Sequence, residues 1–270
     1  MEQAKREQKL QNRPNFDFFH YAGIFRPVYL YTTPRQFIKD ITLVPDLEGN
    51  VEYEIETEGQ GDVEVQVLDR EGNVAARSQG SKGTMTIREP RLWEPWPGTP
   101  YLYTARVTLT GEDGADMYEQ PFGLRTAEVK GKQFLLNGKP FYFKGFGKHE
   151  DSFFRGRGLD LCLNVKDVNL IHWLGANSFR TSHYPYAEEM YDLCDREGIV
   201  IIDETTAVGL NMGGNGNPYA CGTREHHEQV IKDLIKRDKN HPCVVMWSLG
   251  NEPDLEHYPQ EAYDYWHPLY

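Results

Sequence analysis

The chain has 270 residues, of which 39% are hydrophobic and 26% charged, as is usual for a globular protein of one large or two smaller domains. Its formal net charge of −12 argues against a nucleic-acid-binding protein, which needs a clustered basic face. No apolar run approaches the roughly 20 residues of a membrane-spanning helix, so a membrane protein is not expected.

The N-terminal residues and the cysteines bear on the cellular compartment. Residues 1–13 are charged throughout and lack the apolar core of an export signal, although a segment before Met1 could have carried one. The four cysteines, Cys162, Cys194, Cys221 and Cys243, show no CxxC spacing, and three of the four fall in apparent helix or strand segments. The sequence therefore predicts buried free thiols and a reducing, cytoplasmic location.

Residues 37–127 are predicted to form an immunoglobulin-like β-sandwich. Apolar and polar residues alternate along 51–57, 63–67 and 102–109, as they do in strands that bury one face. Turn sequences rich in glycine, aspartate and asparagine follow two of these strands. Short strands at this spacing are typical of a sandwich of about 100 residues.

Strands and helices alternate in residues 128–270. Strands are predicted at 141–146, 176–180, 199–202 and 243–249, and helices from an N-cap at Asn164 to Gly175, at 186–197, at 223–239 and from about 259. The continuous apolar run at 199–202 is typical of a parallel strand buried on both faces. Four β/α units indicate either a small parallel sheet or half of a (β/α)8 TIM barrel. A complete barrel needs about 250 residues, so the first half of a barrel is the favoured interpretation.

Polar residues follow all four predicted strands of this region, at the ends where barrels of this kind carry their functional groups. The candidates are His149 after the first strand, Arg180 and His183 after the second, Glu204 after the third, and Asn251 and Glu252 after the fourth. Loops often begin with polar residues, so a purely structural interpretation also stays open.

Glu252, in the motif Asn251-Glu252-Pro253, is the candidate general acid/base of a sugar-cleaving enzyme. A proton donor to a glycosidic oxygen must be protonated when it meets the substrate, and burial or a nearby like charge can raise its pKa enough. Such enzymes need a second carboxylate, and few residues follow Glu252. The sequence therefore predicts half of a two-carboxylate site, with Asn251 placed to bind a sugar hydroxyl.

The other polar candidates have both a functional and a structural interpretation. Arg180 can keep a carboxylate ionised or hold a loop in place. His183 is a sugar ligand or a hydrogen-bonded structural residue, and Glu204 is a rival carboxylate or a structural acceptor. The run Glu225-His226-His227 is expected to be a solvated helix start and not a metal site, because adjacent helical positions point in different directions.

Two longer stretches resemble the signatures of glycoside hydrolase family 2. Residues 177–202, which begin Asn-Ser-Phe-Arg-Thr-Ser-His-Tyr-Pro, resemble the first signature. Residues 238–252, which end Trp-Ser-Leu-Gly-Asn-Glu, resemble the second, whose last residue is the acid/base glutamate. Within the family, the segments 16–24, 30–34, 141–146, 149–151 and 155–158 resemble those of β-glucuronidases. The resemblance covers the chain beyond about residue 14.

The resemblance implies three domains and one of the two catalytic carboxylates. Residues 1–36 would be the tail of a sugar-binding jelly-roll domain, 37–127 the immunoglobulin-like sandwich and 128–270 a partial catalytic (β/α)8 barrel. The implied activity is retaining hydrolysis of β-D-glucuronides by two carboxylates. The nucleophilic glutamate and the Asn-Lys element that recognises the glucuronate carboxylate would lie beyond Tyr270, so the isolated chain is expected to be inactive.

The resemblance also implies a role for each site residue. Glu252 is the acid/base. The residues that contact the sugar are Asp17, His149, His183 and Asn251. Arg180 supports the nucleophile, and Glu204 is also assigned a supporting role. The expected partner is a small-molecule or oligosaccharide glucuronide, without cofactor, metal, nucleic acid or membrane, and the intact enzyme is expected to be a homo-oligomer. The alternatives are a sister activity of the family, β-galactosidase or β-mannosidase, and a non-catalytic carbohydrate-binding or interaction module.

Overall fold

The computed structural model describes residues 3–6, 9–12, 21, 23–208, 224–252, 256 and 259–270. The strands assigned there are β1 (Gln3–Arg6), β2 (Lys9–Asn12), β3 (Phe37–Pro45), β4 (Asn50–Glu58), β5 (Asp62–Leu68), β6 (Val74–Gln79), β7 (Lys82–Thr86), β8 (Tyr103–Gly111), β9 (Gly114–Phe122), β10 (Ala127–Lys130), β11 (Gln133–Leu136), β12 (Lys139–Pro140), β13 (Gly145–Lys148), β14 (Ser178–Thr181), β15 (Val200–Glu204) and β16 (Val244–Ser248). The helices are α1 (Leu161–Trp173), α2 (Glu188–Glu197), α3 (Arg224–Asp238) and α4 (Pro259–Leu269). None of these helices is both long enough and apolar enough to cross a membrane.

Two antiparallel sheets form the β-sandwich. One has the order β3-β4-β7 and the other β6-β5-β8-β9. Burial alternates along β4 and β8, so each strand turns one row of side chains inwards, as the alternating sequence predicts. Val51 and Tyr53 of the first sheet share one hydrophobic core with Val65 and Val107 of the second.

A four-stranded parallel sheet with the order β13-β14-β15-β16 follows the sandwich. The helices α1, α2 and α3 each connect one strand to the next, and α4 follows the last strand. β15 is buried along nearly its whole length, which explains the continuous apolar run at 199–202, and the strand ends in the buried acids Asp203 and Glu204. All four strands end at the same edge of the sheet, and this edge carries the polar residues that the sequence singles out.

The starts of α1 and β13 differ from the sequence predictions. Asp160, not Asn164, caps α1 by accepting a hydrogen bond from the Leu163 N–H at 3.1 Å, and Asn164 is buried within the helix. The strand predicted from residue 141 begins only at Gly145. The rings of Phe141 and Phe143 instead pack with that of Phe134, so these strand-type residues serve an aromatic cluster.

The sandwich and the parallel sheet are joined through shared contacts. Trp93 of the sandwich is fully buried within the core of the parallel sheet, and its Nε1 donates to the Asp195 carbonyl at 2.8 Å. Gly198 ends α2 in the left-handed conformation (φ 72°), and a side chain there would come within 2.7 Å of the Trp96 nitrogen. That nitrogen donates to the Gly198 carbonyl at 2.9 Å.

Polar side chains reinforce this junction. Asn240 accepts a hydrogen bond from the Leu43 N–H at 3.1 Å and donates to the Ile41 carbonyl at 2.8 Å, so it pairs with β3. Arg125 donates to the carbonyls of Pro242 and Val244, at 3.0 and 2.5 Å. These bonds attach the outer strand of the sandwich and its last segment to the start of β16.

Phe25 and Arg26, which precede the sandwich, contact the segment that follows β13. Arg26 forms an ion pair with Glu150 at 2.8 Å, and the Leu159 N–H donates to the Phe25 carbonyl at 3.0 Å.

Of the cysteines, Cys194 and Cys243 are buried free thiols, as predicted. Cys162 is exposed on the first turn of α1, so the expectation of burial is wrong there. Cys221 lies outside the described residues.

Candidate active site at the edge of the parallel sheet

Glu204, the last residue of β15, is the centre of the polar edge. Its side chain is fully buried, yet three side chains contact it: His183 Nδ1 lies 2.7 Å from Oε1, and Ser248 Oγ and Arg180 Nε lie 2.6 and 3.3 Å from Oε2. A buried carboxylate is stable only when it is paired and hydrogen-bonded in this way. The geometry matches the structural interpretation of Glu204 and gives it a positioning task, because two of its partners are themselves site candidates.

Arg180 connects the end of β14 to the segment after β16. Its guanidinium contacts Glu204 through Nε and donates from NH2 to Asn251 Oδ1 at 3.1 Å. Because the side-chain oxygen of Asn251 is engaged by Arg180, its amide nitrogen is the group oriented to donate to a ligand. The arginine side chain keeps 37% of its surface exposed, so it is partly accessible to solvent at this edge.

The backbone before Glu252 is fixed by the neighbouring loop. The Asn251 N–H donates to the Ala207 carbonyl at 2.8 Å, and Thr205 Oγ1 donates to the Leu249 carbonyl at 2.7 Å. The Nε2 atom of His227 lies 2.9 Å from the Thr205 hydroxyl. The Nδ1 atom of His227 lies 3.2 Å from Tyr265 OH. Since Thr205 uses its proton on Leu249, the imidazole is the donor to Thr205 and the acceptor from Tyr265. Glu252 follows this braced segment.

Glu252 is exposed and has a backbone φ of 51°, in the left-handed region that side-chain-bearing residues rarely adopt. Such a conformation costs about 1–3 kcal/mol and persists only when the surroundings enforce it. The bracing of Asn251 is that enforcement. The exposed carboxyl group of Glu252 can be reached from solvent, so the burial expected of a proton donor is not found at this residue. Pro253, the third residue of the motif, lies outside the described residues.

His149 and His183 lie side by side at the same edge. Their ring centroids are 5.5 Å apart, and His149 Nδ1 is 3.4 Å from Tyr184 OH. The same hydroxyl accepts the Glu150 N–H at 3.1 Å, and burial raises the pKa of Tyr184 to about 12. Tyr184 therefore remains a neutral hydrogen-bonding residue at physiological pH and fixes the segment that carries His149.

The structure thus brings together six of the seven residues singled out from the sequence. His149, Arg180, His183, Glu204, Asn251 and Glu252 lie at one edge of the sheet, whereas Asp17 lies outside the described residues. The sequence analysis did not single out Ser248, Thr205 or Tyr184. Ser248 could have been found from register, because it pairs with Glu204 at the ends of two adjacent parallel strands.

One cluster of side chains has the composition of a metal site. In the described part of the chain, ligand atoms of Asp195, His241 and Cys243 lie within 4.8 Å of one another. Asp195 is already satisfied, since it accepts from His241 Nδ1 at 2.6 Å and from the Cys243 N–H at 3.0 Å. Burial raises the pKa of the Cys243 thiol well above its usual value, which keeps it protonated. The group is a hydrogen-bonded connection between α2 and β16.

The run Glu225-His226-His227 is a solvated helix start at its first two residues, as the sequence predicts, but not at the third. Glu225 and His226 are exposed, but His227 is buried beneath the loop that precedes Asn251. Burial lowers the pKa of its imidazole, in agreement with the neutral tautomer that its two neighbours require. The period of the helix explains the difference, because adjacent positions face different sides and only one of the two histidines points outwards.

Comparison with known families follows the same division of the chain. The family model described as "Glycosyl hydrolases family 2" matches residues 36–125. The model described as "Glycosyl hydrolases family 2, TIM barrel domain" matches residues 127–269. The chain belongs to glycoside hydrolase family 2. This assignment confirms the resemblance carried by the two signatures, and with it a sandwich domain followed by a segment of a TIM-barrel domain.

Several similar proteins are β-glucuronidases. A β-glucuronidase of Paenibacillus borealis is 51% identical over 265 residues, which are 94% of this chain and 44% of that protein. The structure of the Faecalibacterium prausnitzii β-glucuronidase has 64% identity and a TM-score of 0.91, with 96% of this chain and 43% of that chain covered. That of the Bifidobacterium dentium enzyme, complexed with coumarin-3-O-glucuronide, has 51% identity and a TM-score of 0.86, with 95% and 44% covered. The chain spans less than half the length of these relatives.

Proposed function

We propose that this chain provides the acid/base half of the active site of a retaining β-glucuronidase, with Glu252 as the proton donor. The observation that carries the proposal is the placement of Glu252. It is exposed next to Asn251, and Asn251 is bound to Arg180 within the Glu204 network. The β-glucuronidase relatives, one of them complexed with a glucuronide, support this choice of substrate class.

In the proposed reaction Glu252 donates its proton to the glycosidic oxygen while a second carboxylate attacks the anomeric carbon from the other side. The two carboxyl groups of retaining enzymes lie about 5–5.5 Å apart. Glu252 then removes a proton from the water that releases the sugar. The amide of Asn251 donates to a hydroxyl near the reacting carbon, and His149 and His183 line the sugar site. The jelly-roll segment contributes Asp17.

The second carboxylate is proposed to come from outside these 270 residues. β13 and β16 each have only one neighbour in the described sheet, whereas every strand of a closed barrel has two. Met246 and Trp247 of β16 are 37% and 38% exposed, which is high for apolar residues of a barrel strand. Four more β/α units would cover them and bring the nucleophile opposite Glu252, so the chain alone would not hydrolyse glucuronides. Arg180 would then support the incoming carboxylate.

The test compares two proteins on chromogenic β-D-glucuronide, β-D-galactoside and β-D-mannoside. One is this chain, and the other is the same chain extended with the corresponding C-terminal part of the Faecalibacterium prausnitzii enzyme. We expect glucuronide hydrolysis by the extended protein alone, and its loss in the Glu252→Gln variant of that protein.

Other outcomes have definite meanings. Turnover by the unextended chain would refute the half-site proposal, and preference for galactoside or mannoside would identify a sister activity. An extended protein that binds glucuronides without hydrolysing them would favour the non-catalytic binding module.

A further inference from the structure

A buried pair of carboxyl groups lies beneath the polar edge, outside the proposed catalytic residues. Asp203 precedes Glu204 in β15, Asp238 ends α3, and the side chains of both are inaccessible to solvent. Asp238 accepts two hydrogen bonds from Arg237, at 2.6 and 2.7 Å. Among the described residues, Arg237 is the one cation hydrogen-bonded to either acid, and the charge of His241 also interacts with Asp238.

The hydrogen bonds of Asp203 are unequally distributed. Its Oδ1 accepts from Tyr191 OH at 2.7 Å and from Thr181 Oγ1 at 3.1 Å. Its Oδ2 is buried, and no donor to it exists within the part of the chain that the structure describes. An ionised carboxylate oxygen that is buried without a donor is strongly unfavourable.

The surroundings of Asp203 favour its neutral form. Burial raises the pKa of Asp203 to about 8, the negative charge of Asp238 and a hydrogen bond to it act in the same direction, and Tyr191 and Arg237 oppose them. Two adjacent carboxyl groups in a buried site commonly hold one proton between them.

We propose that Asp203 is protonated in the folded protein and donates this proton from Oδ2 to Asp238. The buried oxygen then has a partner, and the pair carries one negative charge, which Arg237 balances. Tyr191 from α2 and Thr181 from β14 complete the surroundings of Asp203, so the proton is enclosed by groups from three elements.

The protonated Asp203 is a positioning residue for the proposed site. The Glu204 N–H donates to Thr181 Oγ1 at 2.8 Å, and Thr181 in turn donates to Asp203 Oδ1. Glu204 holds His183 and Arg180. Loss of the proton would place a second negative charge directly behind this chain of hydrogen bonds.

The proposal makes stability depend on pH in one direction. The pKa of Asp203 is higher in the folded chain than its ordinary value of 3.8. The proton therefore stabilises the fold fully below about pH 4, and this contribution is lost as the pH rises towards 8. For one proton, the unfolding equilibrium constant increases by up to tenfold per pH unit within this window.

The first test uses urea unfolding of the full 270-residue chain between pH 5 and pH 8. Asp203→Asn keeps an acceptor for Tyr191 and Thr181 and a donor for Asp238, but it cannot ionise. We expect its unfolding constant to rise less with pH than that of the wild type, by up to tenfold per unit. Asp233→Asn, a change at an exposed position of α3, the helix that carries Asp238, should follow the wild type. If Asp203→Asn keeps the full wild-type pH dependence, the proposal is wrong.

The second test works even if Asp203→Asn fails to fold. In the wild-type chain labelled with ¹³C at the aspartate carboxyl carbons, one resonance should still report a protonated acid at pH 7. Ionisation of every aspartate below about pH 5 would overturn the proposal.

The His183 ring resonances should be unchanged in Asp203→Asn and shifted in Asp203→Ala. Unchanged resonances in both variants would refute the positioning role. No measurement depends on hydrolysis, so the result is independent of the proposed function.

Discussion

His183 Nδ1 and Glu204 Oε1 lie 2.7 Å apart, so the second and third strands of the parallel sheet are tied together at the edge that carries the candidate site. The bond fixes which ring nitrogen of His183 carries a proton, since a carboxylate can only accept. In a neutral imidazole Nε2 is then the ring nitrogen that can accept a hydrogen bond.

Replacing Glu204 should therefore destabilise the protein and disorganise the site. In Glu204→Gln the buried amide presents a donor where His183, Arg180 or Ser248 also donates. We expect a loss of roughly 3 kcal/mol in the free energy of unfolding, measured by urea titration. Glu228→Gln is the matched control, because the pair of Glu228 with Arg224 is largely exposed, and it should cost less than about 1 kcal/mol. Equal effects of the two changes would contradict the assigned importance of Glu204.

Glu252→Gln, made in the chain extended with the C-terminal part of a relative, should reveal the role of the proton. The variant cannot protonate the leaving oxygen, and we expect kcat for an alkyl β-D-glucuronide to fall by about 10²–10⁴. A nitrophenyl glucuronide should be less affected in its first step, because its leaving group needs little protonation. Glu252 would not be the acid if kcat fell equally for both substrates and the burst of nitrophenol were the same in the variant as in the parent protein.

Trp93 offers a test of the junction between the sandwich and the parallel sheet. Trp93→Ala removes a fully buried side chain and its hydrogen bond to Asp195, and we expect a loss of about 3–5 kcal/mol in the free energy of unfolding. Trp173→Ala provides the control, since that ring is 79% exposed and its removal should change stability by less than about 0.5 kcal/mol. Comparable losses at both positions would show that Trp93 is not a structural anchor.

His241 should make stability depend on pH. Burial lowers the pKa of His241, but the hydrogen bond and charge of Asp195 raise it more, so the net pKa lies above the ordinary value of 6.5. The stabilisation is complete below about pH 6.5 and is lost as the pH rises through the raised folded-state pKa.

His241→Asn should accordingly cost more at pH 5.5 than at pH 8.5, with a loss of roughly 1.5–3 kcal/mol at the lower pH. Chemical unfolding at the two pH values measures the difference. His226→Asn is the control, because His226 is exposed on α3. A cost for His241→Asn that is independent of pH would mean that the ion pair does not form.

The type and order of the elements could be predicted because the residue pattern reports burial. Strands that bury one face alternate, and the first three residues of β15, a strand buried along nearly its whole length, are all apolar. Element starts were harder to predict. Asn164 looks like a cap in sequence, but Asp160 provides the acceptor and the helix begins three residues before Asn164.

The members of the site could be predicted from their place after strands, but their partners could not. That rule groups Arg180, Glu204 and Asn251 without saying which of them touch. The bond between Arg180 and Asn251 joins residues 71 positions apart, and the burial of His227 depends on how α3 packs beneath a loop. Contacts of this kind follow from tertiary packing, which one sequence does not specify.

The hydrogen bonds of Asn240 to β3 have a consequence for how the protein responds to damage. They join residues nearly 200 positions apart in the chain, so strand β3 is connected to the end of α3 without the covalent link near residue 126. A protease cut in that link should leave the two parts associated under native conditions. Heating should then melt the sandwich and the parallel sheet in a single transition, and the fragments should separate only as they unfold.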